Sequence, residues 1–381
     1  MYSHSDIEEA VEGGALTADQ AASLRNFVAG KTGTPTADEE HVRWLLGFHD
    51  FYIYISSILL MFGVGWLGSK IEVGRGPSFF IPLLVAATCW GLSEYFVKRK
   101  RLALTGISLT WVFVYSVYFT FLFLAVQVMG PSEGRATNQL VSAVSAVLAG
   151  GGAFLHWKRF GEPVAISLIF GSIAIAVMSL VGAAVPNDPE GTIAFLVMTL
   201  LGAGTLVYAQ TWEAKDIYRT SKKADVAFWL HWVAAFEVAV GLMGLLGLFN
   251  YPSEGAAIGG IVIFVVLALV GIILDRRLWA LMGAWPGGVG IYTLLHSSTP
   301  RTDPYMGYED YSGSAYSYSP YGGMGDSVDN VMLTLLIIGA VLLLIGVVWT
   351  PLRRILGALA APLAGKIPPT SPADNKGQAF E

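Results

Sequence analysis

One acidic residue inside a long apolar run is the strongest candidate for chemistry in this sequence. Residues 225–249 read DVAFWLHWVAAFEVAVGLMGLLGLF, which is long enough to cross the ~30 Å hydrocarbon layer of a bilayer as a helix. Glu237 lies about 18 Å along that helix from Asp225. Ionisable residues at such depth are costly and mark substrate, ion or proton sites. Glu237 is therefore predicted to bind a proton or a solute.

Small residues share the predicted helix face of Glu237. Ala234, Gly241 and Gly244 lie three, four and seven positions away from it. Such a face allows helices to pack closely, which indicates that Glu237 points into protein rather than toward lipid. His231 lies about two turns before Glu237 and is rotated from it by roughly 120°, so the two should not touch. The partner of Glu237 is expected to come from another span.

A proline and glycine motif supplies the predicted partner. The ninth apolar segment contains Gly283-Ala284-Trp285-Pro286-Gly287-Gly288. Proline removes a backbone N–H and glycine lowers helix stability, so the helix should bend or unwind there. Interrupted helices near the midplane point to transporter binding sites, although a packing kink is the alternative. The hypothesis is a solute or proton site between spans 7 and 9, formed by Glu237, His231, Pro286, Gly287 and Gly288.

Three histidines are candidate ligands. His49, His156 and His231 fall toward the same end of their apolar segments. Two membrane histidines at matched depth can hold a haem, and all three with Asp50 could hold a metal. The alternative is an interfacial or hydrogen-bonded role, which the unspecific spacing favours. We predict no cofactor and no metal.

No catalytic residue is predicted either. The sequence contains no hydrolase, kinase or nucleotide-binding motif. A haem-binding or lipid-acting membrane enzyme is kept as a third hypothesis for the function.

The composition is that of a membrane protein. Charged residues make up 13% and hydrophobic residues 54%, whereas soluble domains carry about 25% charged residues. The net charge of −5 and the lack of any basic stretch interleaved with aromatics argue against nucleic-acid binding. Cys89 is the one cysteine, which excludes an intrachain disulfide and a cysteine-based metal cluster.

Apolar segments of membrane-spanning length recur ten times. They lie near residues 51–68, 78–97, 102–127, 139–157, 163–185, 191–209, 225–249, 256–274, 278–295 and 330–350. If the spans alternate in direction, 19 of the 23 Lys and Arg residues fall on one side. The positive-inside rule places that side, with both termini, in the cytoplasm. The predicted fold is an all-α polytopic bundle of about ten transmembrane helices.

A weak internal repeat is also visible. The sequence KRLALTG at 100–106 leads into the third span, and RRLWALMG at 276–283 leads into the ninth. This pattern suggests a four-helix unit used twice, in spans 1–4 and 7–10, as in transporters with parallel repeats. The alternative is that such turns recur in any membrane protein.

Two segments flank the predicted transmembrane domain, which covers residues 50–354. Residues 1–49 are acidic and are predicted to form a small cytosolic helix pair, either a docking module or a solubilising cap. Gly13-Gly14 should end its first helix, and Thr17 to Gln20 fits a capping box that starts the second. Residues 355–381 are predicted to be a poorly ordered cytosolic tail.

The outer loop 297–329 is unusual for its tyrosines. A flexible spacer is one interpretation of its Gly and Ser content. Contact with a protein partner, or a lid, is the alternative, because tyrosine supplies contact area at low entropy cost. The candidate partner residues are Tyr305, Tyr308, Tyr311, Tyr316, Tyr318 and Tyr321.

Three stretches resemble an uncharacterised family of bacterial multi-span membrane proteins. They are the acidic helical preface, the run Asp225-Val226-Ala227-Phe228-Trp229-Leu230-His231, and the run Leu274-Asp275-Arg276-Arg277. The resemblance implies a bacterial inner-membrane protein and supplies no activity. The family pattern is more apolar after the histidine, so Glu237 departs from it and the resemblance implies no role for Glu237.

Two further functional hypotheses follow. The leading one is an integral membrane protein that binds or moves a small solute at the midplane, with proton coupling through Glu237. The rival is a non-catalytic accessory or assembly subunit that docks protein partners through the tyrosine-rich loop. The lipid bilayer is a partner in either case, and the sequence leaves the oligomeric state open.

Overall fold

Eleven α-helices form the part of the chain that the computed structural model describes. That part comprises residues 48–71, 76–130, 134–185, 188, 191–216, 219, 222–249, 252–298 and 324–360, with short stretches between 7 and 24. The helices are α1 (Phe48–Ser69), α2 (Phe80–Leu92), α3 (Ala103–Met129), α4 (Arg135–Phe160), α5 (Pro163–Ala184), α6 (Thr192–Glu213), α7 (Lys222–Leu245), α8 (Glu254–Leu274), α9 (Leu278–Ser298), α10 (Met324–Val347) and α11 (Trp349–Ala360). A single π-helix, Ser93–Val97, continues α2.

Ten of these segments are long and apolar enough to cross a membrane. They are α1 to α10 within the described residues, with α2 counted together with its π-helix. Helices satisfy all their backbone hydrogen bonds internally, which a segment inside hydrocarbon requires. The prediction of an all-α bundle with ten spans is therefore confirmed.

Helix α7 is the central element of the second half of the bundle. Of the residues in its most apolar stretch, 67% are buried, the largest share among the ten spans of the described chain. It contacts α5, α6, α8 and α9. Its core positions include Ala234, Ala239 and Met243, which pack with Leu267 and Trp279. A polar side chain on α7 consequently faces protein on most sides.

Glycines bring α6 and α7 into close contact. A Cβ placed on Gly202 of α6 would lie 2.8 Å from the backbone nitrogen of Val238 and 2.9 Å from the Cβ of Glu237. A Cβ on Gly241 of α7 would lie 2.7 Å from the backbone nitrogen of Thr199. The prediction that small residues let the Glu237 face pack closely on a neighbouring helix is confirmed, and that neighbour is α6.

We expect Gly241→Ala to lower the free energy of unfolding by about 1–3 kcal/mol, because the methyl group would push on backbone atoms of α6 and separate the helices. The measurement is equilibrium unfolding in mixed micelles, followed by tryptophan fluorescence. Gly204→Ala on α6 is the matched control, since a Cβ there meets nothing within 4 Å. Equal effects of the two substitutions would contradict close packing at Gly241.

The predicted four-helix repeat agrees with the arrangement of the helices. In both sets of spans the first contacts the second and third, the second contacts the third, and the third contacts the fourth. Helices α3 and α9 both follow a residue in the left-handed region, Arg101 with φ 55° and Asp275 with φ 56°. Leu102, which directly precedes α3, and Leu278, which begins α9, are both buried. The left-handed residue lies two positions before α3 and three positions before α9, so the two turns share this feature but differ in its position.

The segments outside the spans are described in part. The capping box is confirmed, because the Thr17 amide donates to Gln20 Oε1 and the Gln20 amide donates to Thr17 Oγ1. Gly14, with φ 72°, lies in a turn after Val11 as predicted. The boundary predicted at residue 354 falls inside α11, so the tail begins as a helix. Six predicted partner residues lie outside the described part: Tyr305, Tyr308, Tyr311, Tyr316, Tyr318 and Tyr321.

Candidate functional site

Glu237 is buried between α7 and α6. Its exposed fraction is 2%, and that of Thr205 on α6 is 4%. The Thr205 hydroxyl donates a hydrogen bond to Glu237 Oε2 at 2.9 Å. The second oxygen, Oε1, makes no hydrogen bond to any residue in the described part of the chain. The predictions that Glu237 faces protein and finds its partner on another span are confirmed.

The predicted unwinding at Pro286 is wrong. Helix α9 runs without interruption from Leu278 to Ser298, with Pro286 inside it. Its glycines pack on α8: a Cβ on Gly287 would lie 2.8 Å from the Cβ of Phe264, and a Cβ on Gly260 would lie 2.5 Å from the Pro286 carbonyl oxygen. This close packing supports a continuous helix despite the proline.

The solute or proton site between spans 7 and 9 stays a prediction, although its glycines pack on other helices. Gly287 contacts α8 rather than Glu237, and a Cβ on Gly288 would meet only side-chain atoms of Thr334 and Ile338 on α10. The hydrogen bond of Glu237 goes to α6. Within the described chain, Glu237 is contacted from α6 by Thr205 and lies close to Gly202 of the same helix.

His231 joins three helices through hydrogen bonds. It is fully buried on α7, and the Trp279 indole N–H of α9 donates to its Nδ1 at 3.3 Å. Because Nδ1 accepts, the ring hydrogen is on Nε2, which lies 3.2 Å from Gln210 Nε2 and 3.7 Å from Glu213 Oε2. Turning the Gln210 amide over would place its Oε1, a buried atom without a partner, as the acceptor. His231 does not contact Glu237, as predicted.

The other two candidate histidines, His49 and His156, differ in burial. His156 is fully buried, with Nε2 at 3.3 Å from Ser93 Oγ and Nδ1 at 3.5 Å from Thr110 Oγ1. His49 is exposed. The described residues contain no group of three or more His, Cys, Asp or Glu that could hold a metal ion. His156 and His231 each have polar side chains within hydrogen-bonding distance of both ring nitrogens.

Asp50 caps a neighbouring helix. It is 2% exposed, and its two oxygens accept from the backbone N–H groups of Leu104 and Thr105 at 2.9 and 3.1 Å. The Thr105 hydroxyl donates to Oδ1 at 2.6 Å. These amides belong to the first turn of α3, where a carboxylate satisfies unpaired donors and complements the helix dipole. Asp50 thus links α1 to α3.

A buried network of charged residues, which we call the arginine network, lies beside His231. Glu213, at the end of α6, is 1% exposed. Its Oε2 accepts from Arg276 Nη2 at 2.5 Å and Nε at 3.1 Å, and its Oε1 accepts from Arg219 Nε at 3.0 Å. The members of the network are Glu213, Arg219, Asp275, Arg276 and Arg353.

Asp275 forms the second half of this network. Its Oδ2 lies 3.2 Å from Arg219 Nη1 and 3.2 Å from Arg353 Nη1, and its Oδ1 accepts from the Trp349 indole N–H at 3.0 Å. The network therefore ties the ends of α6 and α8 to α11. The sequence signal was an acid at the end of an apolar segment, which occurs at both Glu213 and Asp275, but the nearby arginines were interpreted only as topology markers.

Glu162 is a titratable group between α4 and α5. Its carboxyl faces α3, because a Cβ on Gly106 would lie 3.0 Å from its Cδ. The pKa of Glu162 is raised from 4.5 to about 7, mainly by burial; the charge of Lys222 lowers it, and the charges of Asp225 and Asp50 contribute to the rise. Glu162 is thus set to titrate near neutral pH.

We expect the folded protein to lose stability as the pH rises from 4.5 to about 7 through Glu162. The folded state binds this proton more tightly than the unfolded state, so its contribution is fully present below 4.5 and is lost above the folded pKa. Glu162→Gln should flatten the stability profile in that window. The measurement is the free energy of unfolding of both proteins across this pH range. An unchanged slope in the variant would contradict the assignment of this pH dependence to Glu162.

Comparisons of the chain with protein-family models, with curated proteins and with solved structures found no match.

Proposed function

We propose that this chain is a membrane protein that binds or moves a small solute and exchanges a proton at Glu237. The observation that carries this proposal is the isolation of the Glu237 carboxyl. It is buried inside a span, it receives one hydrogen bond from the neutral Thr205 hydroxyl, and no ion pair is formed with any described residue.

The contrast with the arginine network supports a functional role. Glu213 and Asp275 are each held by two guanidinium groups, as buried structural carboxylates usually are. Glu237 has no such cation, and its Oε1 remains available for a proton or a solute donor. A carboxyl group within a membrane span that lacks a charged partner is a functional candidate by default.

The α6–α7 interface is a suitable place for a coupled movement. The close approach at Gly202 and Gly241 couples any change in the size or charge of the Glu237 side chain to the separation of the two helices. Proton uptake and release could then alternate two arrangements of α6 and α7.

The test uses the purified full chain in liposomes that contain a trapped pH-sensitive dye. A potassium diffusion potential is imposed with valinomycin, and solutes of several classes are added outside: sugars, amino acids, nucleosides and organic acids. Proton entry above that of protein-free vesicles, increased by one class of solute, is the expected result. A folded protein that moves no protons under any of these conditions would contradict the proposal and favour an accessory role.

The location we propose is the bacterial inner membrane, with both termini in the cytoplasm. The distribution of 19 of 23 basic residues on one side supports this orientation. The resemblance to a bacterial membrane-protein family supports the location.

For the orientation, we expect reporter fusions at Asp310 and at the C-terminus to report opposite compartments, with the C-terminus cytoplasmic. One span, α10, separates the two fusion positions, so the two reporters should lie on opposite sides of the membrane. The same compartment for both fusions would contradict the proposed orientation.

A further inference from the structure

Two basic segments meet at one end of the first half of the bundle. Lys98, Arg99 and Lys100 directly follow the π-helix, and Lys158 lies in the last turn of α4. Arg159, next to Lys158, donates from Nε and Nη2 to the two carboxyl oxygens of Glu94 at 2.6 and 2.9 Å. This bidentate contact lies between the two helix ends. We call the exposed side chains of Lys98, Arg99, Lys100 and Lys158 the basic patch.

The positive charge of the basic patch is largely uncompensated. Glu94 uses both oxygens for Arg159, and Lys98 Nζ approaches it only to 4.0 Å. The Lys100 ammonium lies 6.0 Å from the centre of the Tyr95 ring. The side chains of Arg99 and Lys158 make no ion pair or hydrogen bond with any residue that the structure describes, although the charge of Arg99 still acts on Glu94. The patch can therefore attract an external anion.

The position of the basic patch at the membrane interface indicates which kind of anion it binds. The patch lies where two membrane spans, Phe80–Val97 and Arg135–Phe160, reach the interface. Tyr95 is 47% exposed beside it, as is typical of aromatic side chains at headgroup level. Leu155, one turn before Lys158 on α4, is 58% exposed and offers an apolar surface below the charge. A phosphate above an acyl chain matches this arrangement of cations above apolar side chains.

We propose that the basic patch binds the headgroup of an anionic phospholipid. Arg99 presents a planar fork that matches phosphate oxygens, and the lysines add mobile donors. Clusters of basic residues immediately beside a membrane span bind anionic lipids in this way. The binding is independent of the proton site at Glu237.

The test is native mass spectrometry of the full chain in detergent, titrated with phosphatidylglycerol or with phosphatidylcholine. The wild type should retain phosphatidylglycerol more tightly. The double variant Arg99→Gln/Lys158→Gln should lose about 25-fold in affinity for phosphatidylglycerol, since each basic residue near the surface contributes about fivefold. Affinity for phosphatidylcholine should stay the same.

The matched control removes the same charge from the other side of the bundle. Lys70→Gln/Arg135→Gln changes two exposed cations at the far ends of α1 and α4 and should leave lipid retention unchanged. An equal loss in both double variants, or none in the patch variant, would overturn the proposal. Displacement of the lipid by millimolar glycerol 3-phosphate would also overturn it, because the site would then recognise free phosphate.

Discussion

Glu213→Gln is expected to lower the free energy of unfolding by about 3–5 kcal/mol, because removing one partner of a buried ion pair leaves uncompensated charge. In this protein the charges left behind are the guanidinium groups of Arg276 and Arg219, which bind the two oxygens of Glu213. The amide can still accept a hydrogen bond, so the loss measures mainly the charge. Reversible unfolding in mixed micelles is the measurement.

Two further variants make the result for Glu213 specific. Glu94→Gln removes a carboxylate that pairs with Arg159 at the exposed end of α4, and it should leave stability nearly unchanged. Glu213→Gln combined with Arg276→Gln should cost less than the sum of the two single changes, because the residues share one interaction. Equal losses in Glu213→Gln and Glu94→Gln would contradict the expectation that the buried arginine network stabilises the protein more than a surface ion pair does.

Glu237→Gln is expected to abolish proton movement into liposomes while leaving the protein folded. The amide has the shape of the carboxyl and still accepts the Thr205 hydrogen bond, but it cannot take up or release a proton. Flux should fall to the level of protein-free vesicles. Glu94→Gln, which neutralises a surface carboxylate, should retain wild-type flux.

The matching change to leucine separates the two roles of Glu237. If the carboxyl is a proton site, Glu237→Leu should fold normally and move no protons, because Thr205 can bond to a carbonyl of its own helix. If the carboxyl is only a structural acceptor, Glu237→Gln should keep full flux and Glu237→Leu should destabilise the protein. Full flux in Glu237→Gln would contradict the proton-site proposal.

The spans were predictable because length and apolarity determine what can cross a bilayer. The orientation of Glu237 was predictable for a similar reason, since helical periodicity places Gly241 on its face. Both inferences use residues that are close together in the sequence. The capping box at Thr17 belongs to the same class of local pattern.

The errors concern contacts between distant parts of the chain. Pro286 was expected to break α9, but packing against Phe264 of α8 accompanies a continuous helix. Glu213, Asp275 and Arg353 come from three separate segments of the chain. No spacing pattern in the sequence predicts that they lie close together. Basic residues at the ends of spans are also expected from the positive-inside rule, so their presence alone does not indicate a buried network.

The central claim is that Glu237 exchanges a proton inside the membrane. Its most direct test is a pH titration of the reconstituted protein by infrared difference spectroscopy, which detects the C=O stretching band of a protonated carboxyl group. The wild type should show a carboxyl band that changes with pH and is missing from Glu237→Gln but present in Glu94→Gln. An identical set of bands in the wild type and Glu237→Gln would contradict the claim.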